Sequence, residues 1–351
     1  MSTRARKPTL LVLLILLSTP LFAAPGNRYP MVLVHGFTGW GPGEMGNIHY
    51  WGGHDSLTAI LSAAGYPAYE GVVGPLASNW DRACELYAYI KGGRVDYGAA
   101  HARRHGHERL GRQCSGLLPD WGERGDNTRV HLVGHSQGGQ TARVMTALLA
   151  RGDEAERQVS GASVHPLFAG GSDLVHSVTT LATPHDGSTL AFMLYDEAGF
   201  LLSWLLSLAS FLGNHLENPP QYDFKLDQWG LQRRPGESDE AYHDRLAGSD
   251  VWKEQDISIY DLSPTGAAVL NAAFPAVDSV YYFSWATWDS VPEGPGRTHV
   301  PAAGMNLGLV APSLALGRYR REASIAGLHA FDDTWWPNDG VVNTRSMSGP
   351  K

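Results

Sequence analysis

A serine between two glycines is the residue of this sequence with the clearest capacity for covalent chemistry. Ser136 is the centre of Gly134-x-Ser136-x-Gly138, after the apolar run Arg129–Val133 and before a helical stretch from Gln140 to Leu149. A strand–turn–helix of this kind holds the serine on a sharp turn with its oxygen exposed, and glycines are needed because side chains would collide with the neighbouring helix and strand. An ordinary Gly/Ser turn is the alternative, but it would not require both flanking elements. The pattern therefore predicts a nucleophile at Ser136.

Backbone amides that could stabilise an oxyanion lie in two segments. The amide of Gln137 follows the nucleophile at the start of the helix, where the helix dipole is positive. A second donor is expected from a loop after an early strand, and His35-Gly36-Phe37 is such a loop, with the Phe37 N–H preferred. A plain strand-to-loop turn is the alternative for this loop. His135, like His35, is interpreted as loop scaffolding.

The acid of a serine–acid–histidine triad follows the serine in this arrangement, and the histidine follows the acid. Asp339 and Asp186 are both plausible acids, and Asp339 is preferred because it lies in a late loop, although Asp before Gly is also a common turn. The last histidine of the sequence is His329, which precedes Asp339. His185 would serve only if the acid preceded it. The catalytic histidine is therefore expected beyond Lys351, which makes the chain look truncated.

Three histidines in one short stretch form a second candidate site. His101, His105 and His107 lie close together, with Asp81 upstream. Zinc binds imidazole and carboxylate ligands, four of them when the site is structural. From these residues alone, a solvated histidine cluster is the more common outcome, so the metal hypothesis stays open at this point.

The elements that must position these residues are apolar strands alternating with helices. Strands are predicted at Tyr29–Val34, Arg129–Val133, Leu174–Thr183 and Val280–Trp285. This alternation predicts an α/β fold with a mostly parallel sheet and helices on both of its faces. Catalytic loops then gather at the carboxyl ends of the strands.

A helical insertion is expected at about residues 190–276, where strand signals are sparse. Within it, Ala198–Leu212 is apolar nearly all round but too short to span a bilayer. A buried core helix is one interpretation. A lid helix over the active site is the other, and its position soon after the third strand favours the lid, because so much apolar surface needs a partner or an interface.

Composition and the first residues limit the function classes. The chain has 351 residues, 43% hydrophobic, and a net charge of −8, which argues against nucleic-acid partners. Residues 1–24 have the basic start, apolar run and small residues of an export signal, so a secreted protein without a stable membrane anchor is predicted, and a membrane anchor retained at the N-terminus is the alternative. Cys84 and Cys114 could pair in such a compartment, but their separation is not readable from the sequence.

The sequence resembles the thermoalkalophilic true lipases of bacteria and, somewhat further off, the staphylococcal-type lipases. The resemblance covers almost everything after the signal, and it is carried by the following stretches: VHGFTGWG (34–41), GPLASNWDRACE (74–85), VDYGAAHARRHGHERLGR (95–112), HSQGGQTAR (135–143), TLATPHDGSTL (180–190), YDFKLDQWGLQRRPGES (222–238) and NDGVVNTRSMSGPK (338–351).

This resemblance implies an α/β-hydrolase lipase domain over residues 25–351 and a secreted triacylglycerol lipase that hydrolyses carboxylic esters at an oil–water interface. It matches Ser136 and Asp339 to the family's nucleophile and acid, and the amides of Phe37 and Gln137 to the oxyanion hole. A carboxylesterase for short soluble esters is one alternative, and a lipid-binding relative without catalysis is the other.

The resemblance also implies metal sites. It places a structural zinc ion on Asp81, His101, His107 and Asp256, which would connect the helical insertion to the core. One calcium ligand of the family, a backbone carbonyl, is matched by Gly304 in Gly-Met-Asn. The acidic calcium ligands would lie beyond Lys351, so calcium is expected only with that tail.

Overall fold

The computed structural model describes residues 29–123, 128–196, 224–294, 298–321 and 330–350. The predicted export signal at residues 1–24 and the predicted lid helix Ala198–Leu212 lie outside the described residues. The described strands, in chain order, are Met31–Val34 (β1), Ala68–Gly71 (β2), Gly93–Asp96 (β3), Leu110–Cys114 (β4), Val130–His135 (β5), Val175–Leu181 (β6), Tyr281–Trp285 (β7), Ser290–Pro292 (β8) and His299–Pro301 (β9).

Five of these strands form a central parallel sheet in the order β2-β1-β5-β6-β7. β1 pairs with β5 in a register that sets Val34 opposite Gly134. Because the carboxyl ends of parallel strands lie at one edge, the loops after β1, β5 and β6 meet there. The predicted parallel sheet is confirmed. All four predicted strands belong to it, each with bounds shifted by two residues or fewer, whereas β2 had not been predicted.

The α-helices are Leu57–Ala63 (α1), Asn79–Lys91 (α2), Ala99–His105 (α3), Gln137–Arg151 (α4), Glu154–Ser160 (α5), Pro166–Ala169 (α6), Thr189–Asp196 (α7), Asp239–Ala247 (α8), Ser258–Asp261 (α9), Pro264–Ala273 (α10) and Leu307–Leu316 (α11). The predicted helix at Gln140–Leu149 is α4, and it begins directly after Ser136. Among the described helices, none combines the length and the apolar character that crossing a bilayer requires.

The main core is built around the inner strands of the sheet. Val32 and Leu33 of β1 point to opposite faces, and both are buried, so both faces of the sheet are covered at this strand. α4 is buried from Gln137 to Leu149 and packs against β5, β6 and α2. The helix that begins at the candidate nucleophile is therefore held on all sides by the core.

The described parts of the predicted insertion, residues 190–196 and 224–276, contain helices and no strand. Their apolar side chains form a second core that is separate from the sheet core. Leu226, Tyr242 and Ile257 belong to it, together with Leu316 of α11. The insertion is thus anchored by its own apolar cluster beside the sheet.

The two cysteines are free thiols in this structure. Cys84 is buried in α2, and Cys114 is half-buried in β4. Burial, reinforced by the charges of Asp81 and Asp96, raises the pKa of the Cys84 thiol well above its ordinary value. A thiol with such a pKa is a poor nucleophile, so Cys84 has a packing role in α2.

Leu132→Ala is expected to lower the free energy of unfolding by about 2–5 kcal/mol, because the side chain is 0% exposed in the middle of β5 and its loss leaves a cavity. Leu307→Ala is the matched control, since Leu307 is 90% exposed and should change stability by less than about 0.5 kcal/mol. Urea or thermal unfolding of the two variants measures the difference, and equal losses would contradict the described core.

Candidate active site and metal centre

Ser136 lies on the sharp turn between β5 and α4. Its backbone has φ 53° and ψ −127°, a positive-φ conformation that is rare for a residue other than glycine. The Ser136 N–H donates to Leu181 O of β6 over 2.8 Å, and the residue is half-buried. Such strain persists only where the surroundings impose it, and it is concentrated at functional sites.

The glycines around this turn allow three backbone segments to come unusually close. A Cβ on Gly138 would lie 2.2 Å from Val34 O, and one on Gly134 would lie 2.3 Å from Gly139 N. A Cβ on Gly36 would lie 2.8 Å from Ser136 Cβ. Side chains would therefore collide at each of these positions, as the motif predicts.

The two segments expected to supply oxyanion donors meet at this turn. Gln137 begins α4, and the first amides of a helix have no acceptor within it. The Gln137 side chain is held by Ala77 O at 3.1 Å and by the Ser258 hydroxyl at 3.1 Å. Its backbone is therefore rigidly placed beside the nucleophile.

Phe37 is half-buried in the loop after β1, and the amides on either side of it are both hydrogen-bonded. The Gly36 N–H donates to the Tyr50 hydroxyl over 2.9 Å, and the Thr38 N–H donates to Pro75 O over 2.9 Å. The fully buried Arg82 also donates to His35 O over 2.5 Å. The His35–Gly36 and Phe37–Thr38 peptides, which flank the peptide that carries the Phe37 N–H, are thus both anchored.

Asp339 is half-buried in a tight turn after the short helical segment Asp333–Trp335. Its Oδ1 accepts from the amides of Val341 and Val342 at 3.0 and 2.9 Å, and its Oδ2 accepts from the Thr287 hydroxyl at 2.9 Å. Burial lowers the pKa of His135, and the charge of Asp339 partly offsets this, which places the carboxylate within electrostatic range of the residue before Ser136.

The alternative acid, Asp186, faces a different neighbour. Its Oδ1 accepts from the Asn271 side chain of α10 at 3.3 Å, and its charge acts on Arg143. Of the two candidates, Asp339 is the one whose charge acts on the turn that carries the nucleophile.

His35, His185 and His135, the three histidines nearest to the motif residues, each have a ring nitrogen in contact with a neighbouring group of the protein. His35 contacts Gly36 O through Nδ1 at 2.9 Å and the Val73 amide through Nε2 at 3.3 Å, and burial lowers its pKa well below the ordinary value. His185 is held between Arg143 and Thr180, at 3.0 and 3.1 Å. His135 Nδ1 lies 2.5 Å from the Tyr50 hydroxyl. The scaffolding interpretation of His35 and His135 fits these contacts.

A cluster of four metal-type ligands lies at one end of α2. Asp81 is on α2, His101 is on α3, His107 follows α3, and Asp256 precedes α9. One ligand atom from each lies within 4.8 Å of the others. Nε2 of His101 and Nε2 of His107 both lie 3.1 Å from Asp256 Oδ2, and they lie 3.4 and 3.9 Å from Asp81 Oδ1.

The surroundings of this cluster fit a bound cation. Asp81 Oδ1 and His107 Nε2 are buried without a hydrogen-bond partner, and both face the centre of the group. Outside it, the Gln228 amide donates to Asp81 Oδ2 over 2.7 Å, and His107 Nδ1 contacts Glu108 O at 2.9 Å. Contacts of this kind orient metal ligands.

The charges of the cluster are poorly balanced by its own residues. Burial, together with the charge of Asp256, raises the pKa of Asp81. Burial opposes ionisation of Asp256, but the neighbouring imidazoles of His101 and His107 outweigh it and hold that pKa below its ordinary range. Burial would lower the pKa of His101, yet the two carboxylates raise it to about 9. A divalent cation would satisfy both carboxylates with neutral imidazoles.

Comparisons with known proteins agree with this geometry. Residues 27–351 match the family model described as lipase-like, C-terminal domain. The lipase of Staphylococcus hyicus is 39% identical over 339 residues, which are 93% of this chain and 49% of that protein. The chain belongs to this lipase family.

Solved structures extend the likeness of this lipase-family chain to the fold. EstA from Clostridium botulinum is 43% identical with a TM-score of 0.86, over 93% of this chain and 75% of that one. Lipase 1 from Pelosinus fermentans is 47% identical with a TM-score of 0.81, over 93% and 85%. The expected bacterial lipase family and α/β-hydrolase fold are confirmed. The chain spans about half the length of the curated relatives it matches.

Several residues around the two sites carried no signal in the lipase sequence. Tyr50 and Arg82, which hold the Phe37 loop, were not singled out, because their partners are backbone atoms far away in the chain. Gln228 is separated from Asp81 by 147 positions.

Gly304, the residue matched to a calcium ligand, is an exposed turn residue with φ 96°. Among the described residues, the Asp81 cluster is the one group of three or more metal-type side chains.

Gly138→Ala is expected to lower ester turnover by the full-length enzyme and to destabilise it by about 1–3 kcal/mol, because the added Cβ would lie 2.2 Å from Val34 O and must displace β1 or α4. Gly248→Ala is the control, since its nearest neighbour, Asp244 O, would be 3.4 Å away. Thermal melts and p-nitrophenyl ester assays give both readouts. Wild-type behaviour of Gly138→Ala would contradict the close packing at the turn.

Proposed function

We propose that this protein hydrolyses carboxylic esters of lipids, with Ser136 as the nucleophile. The observation that carries the proposal is the positive-φ turn of Ser136 between β5 and α4, with the His35–Phe37 loop packed against it. A half-buried serine held in a strained backbone beside the start of a buried helix is the arrangement expected of a nucleophile on a strand–turn–helix motif.

In the proposed reaction, Ser136 Oγ attacks the ester carbonyl carbon while its proton passes to a histidine. The base in this proposal is a histidine that follows the acid in the chain, in the order serine, acid, histidine. Asp339 orients that imidazole and stabilises its charged form. The amides of Phe37 and Gln137 donate to the oxyanion. The histidine then protonates the leaving alcohol, and water hydrolyses the acyl-enzyme in the same way.

The proposed substrates are triacylglycerols at an oil–water interface, and the proposed location is outside the cell. The relatives are named lipases, which supports lipid esters as substrates. The apolar stretch Ala198–Leu212 supports an interfacial lid, and the first 24 residues support export.

The proposed metal is a structural zinc ion on Asp81, His101, His107 and Asp256. Zinc bonds of about 2.0–2.1 Å to nitrogen and oxygen in a tetrahedron give ligand–ligand edges of about 3.3 Å. Distances of 3.1–3.9 Å between the histidine nitrogens and the carboxylate oxygens are close to that value. Two imidazoles and two carboxylates complete four ligands, so the ion would supply cohesion between α2, α3 and the insertion.

Ser136→Ala and Asp339→Asn are each expected to reduce ester hydrolysis by the full-length enzyme by about 10³-fold or more, because removal of a triad member leaves only the oxyanion donors and binding. Asp186→Asn is the matched control and should retain activity, since its carboxylate faces Asn271. Turnover of p-nitrophenyl esters and emulsified triacylglycerol measures this. If Asp186→Asn loses ester turnover while Asp339→Asn stays active, the acid is Asp186 and not Asp339. A preference for short soluble esters would identify a carboxylesterase.

One tightly held zinc ion per chain is expected, and His107→Ala should abolish it because the cluster loses a ligand atom that has no other partner. His105→Ala is the matched control: His105 contacts the ring of His101 in a tilted arrangement, with ring centroids 4.5 Å apart, but lies outside the ligand group. Elemental analysis after dialysis and thermal melts with and without chelator give the result. A metal-free wild type, or equal loss in both variants, would refute the zinc proposal.

A further inference from the structure

The hydroxyl of Tyr50 lies between the candidate oxyanion loop and the turn of the nucleophile. It accepts from the Gly36 N–H at 2.9 Å and lies 2.5 Å from His135 Nδ1. A Cβ built on Gly36 would be 2.8 Å from Ser136 Cβ, 3.0 Å from His135 O and 3.1 Å from the Tyr50 hydroxyl. The hydroxyl, the loop and the nucleophile therefore meet around one point.

The Tyr50 hydroxyl can make both of these hydrogen bonds at once. Its oxygen accepts from the Gly36 N–H, and its one proton is donated to His135 Nδ1 when that imidazole carries its own proton on Nε2. Burial raises the pKa of Tyr50 to about 12, and burial lowers the pKa of His135, so the phenol stays protonated and the imidazole stays neutral at pH 7. The bridge thus runs from Gly36 N–H through Tyr50 O–H to His135.

The ring of Tyr50 is itself fixed by its neighbours. Its centroid lies 5.2 Å from Trp40 in an edge-on contact and 5.7 Å from Trp51. The ring therefore has little freedom, and its hydroxyl is a rigid acceptor for the loop amide.

We propose that Tyr50 is a positioning residue for ester hydrolysis, which holds the His35–Gly36 peptide, and through it the following Phe37 N–H, at a fixed place relative to Ser136. Arg82 anchors the carbonyl of the same peptide, that of His35, and Pro75 O anchors the amide of Thr38. Through His135, the Tyr50 hydroxyl connects this loop to the end of β5, directly before Ser136. The inference rests on the proposed function, because its catalytic consequence requires an oxyanion.

Tyr50→Phe removes the hydroxyl and keeps the ring. In the full-length enzyme, kcat for p-nitrophenyl butyrate is expected to fall about 10- to 100-fold, less than the loss of a whole oxyanion donor, with KM within about twofold. Hydrogen–deuterium exchange of the peptides that cover residues 34–40 is expected to speed up. A purely structural role would lower the melting temperature without this split between kcat and KM.

Tyr282→Phe is the matched control. Tyr282 lies on the outer strand β7, and its hydroxyl also accepts from a backbone amide, that of Val277, at 3.1 Å. It should leave kcat and exchange at residues 34–40 unchanged. Equal kcat and equal exchange in Tyr50→Phe and wild type would overturn the proposal. If wild type hydrolyses no ester, the proposed function fails, and the exchange measurement alone still decides whether Tyr50 holds the loop.

A second variant keeps the test decisive if Tyr50→Phe does not fold. His135→Leu removes the acceptor of the Tyr50 proton, whereas His135→Asn retains an acceptor oxygen on a shorter side chain. The proposal expects a larger loss of kcat and faster exchange at residues 34–40 in His135→Leu than in His135→Asn. Identical losses in the two variants would overturn it.

Discussion

The close approach of three backbone segments at Ser136 is the constraint on which the rest of this structure depends. β1, the end of β5 and the start of α4 meet at distances that no side chain would allow, with Gly138 against Val34 O and Gly36 against Ser136. The pairing of β1 with β5 brings these segments into register. The burial of α4 then prevents the turn from relaxing its positive φ. Catalytic geometry at this edge is therefore a consequence of sheet pairing and helix packing.

Helix α2 connects the metal centre to this edge through a buried polar network. Asp81 faces the metal cluster, while the next residue, Arg82, is 0% exposed and donates to His35 O, Gly74 O and the Thr141 hydroxyl. A buried guanidinium is tolerated only when its donors find acceptors, so these partners must stay in place. The same helix thus holds the loop after β1, braces α4 and supplies one of the four clustered metal-type side chains.

The Asp81 cluster places buried charges at the start of helix α2. Two buried carboxylates, Asp81 and Asp256, face each other across the group, and burial together with their mutual repulsion raises the pKa of Asp81. Protonated histidines compensate in part, as the raised pKa values of His101 and His107 show against the opposing effect of burial. A divalent cation would compensate fully and would join segments far apart in the chain, including the insertion that has its own apolar core.

The local features of this protein could be predicted from its sequence. The Gly-x-Ser-x-Gly pattern, the apolar runs before it and the helix after it follow from short-range sterics and hydrophobic periodicity, and they predicted the parallel strands, α4 and the position of Ser136. Motifs shared with lipases also indicated the four metal-type ligands. The edge strand β2 was missed because its four residues, Ala68–Gly71, include a glutamate and a glycine and have little apolar periodicity.

Contacts between groups that are distant in the chain were visible only once the chain was folded. The side chain of Asp339 accepts from Thr287 and that of Asp186 from Asn271, although both are aspartates in loops after the serine. Tyr50 bridges Gly36 and His135, and Gln228 supports Asp81 across 147 positions. Such contacts depend on how whole strands and helices pack, and packing is set by many weak, non-local interactions at once. A residue's own type and its near neighbours therefore do not encode them.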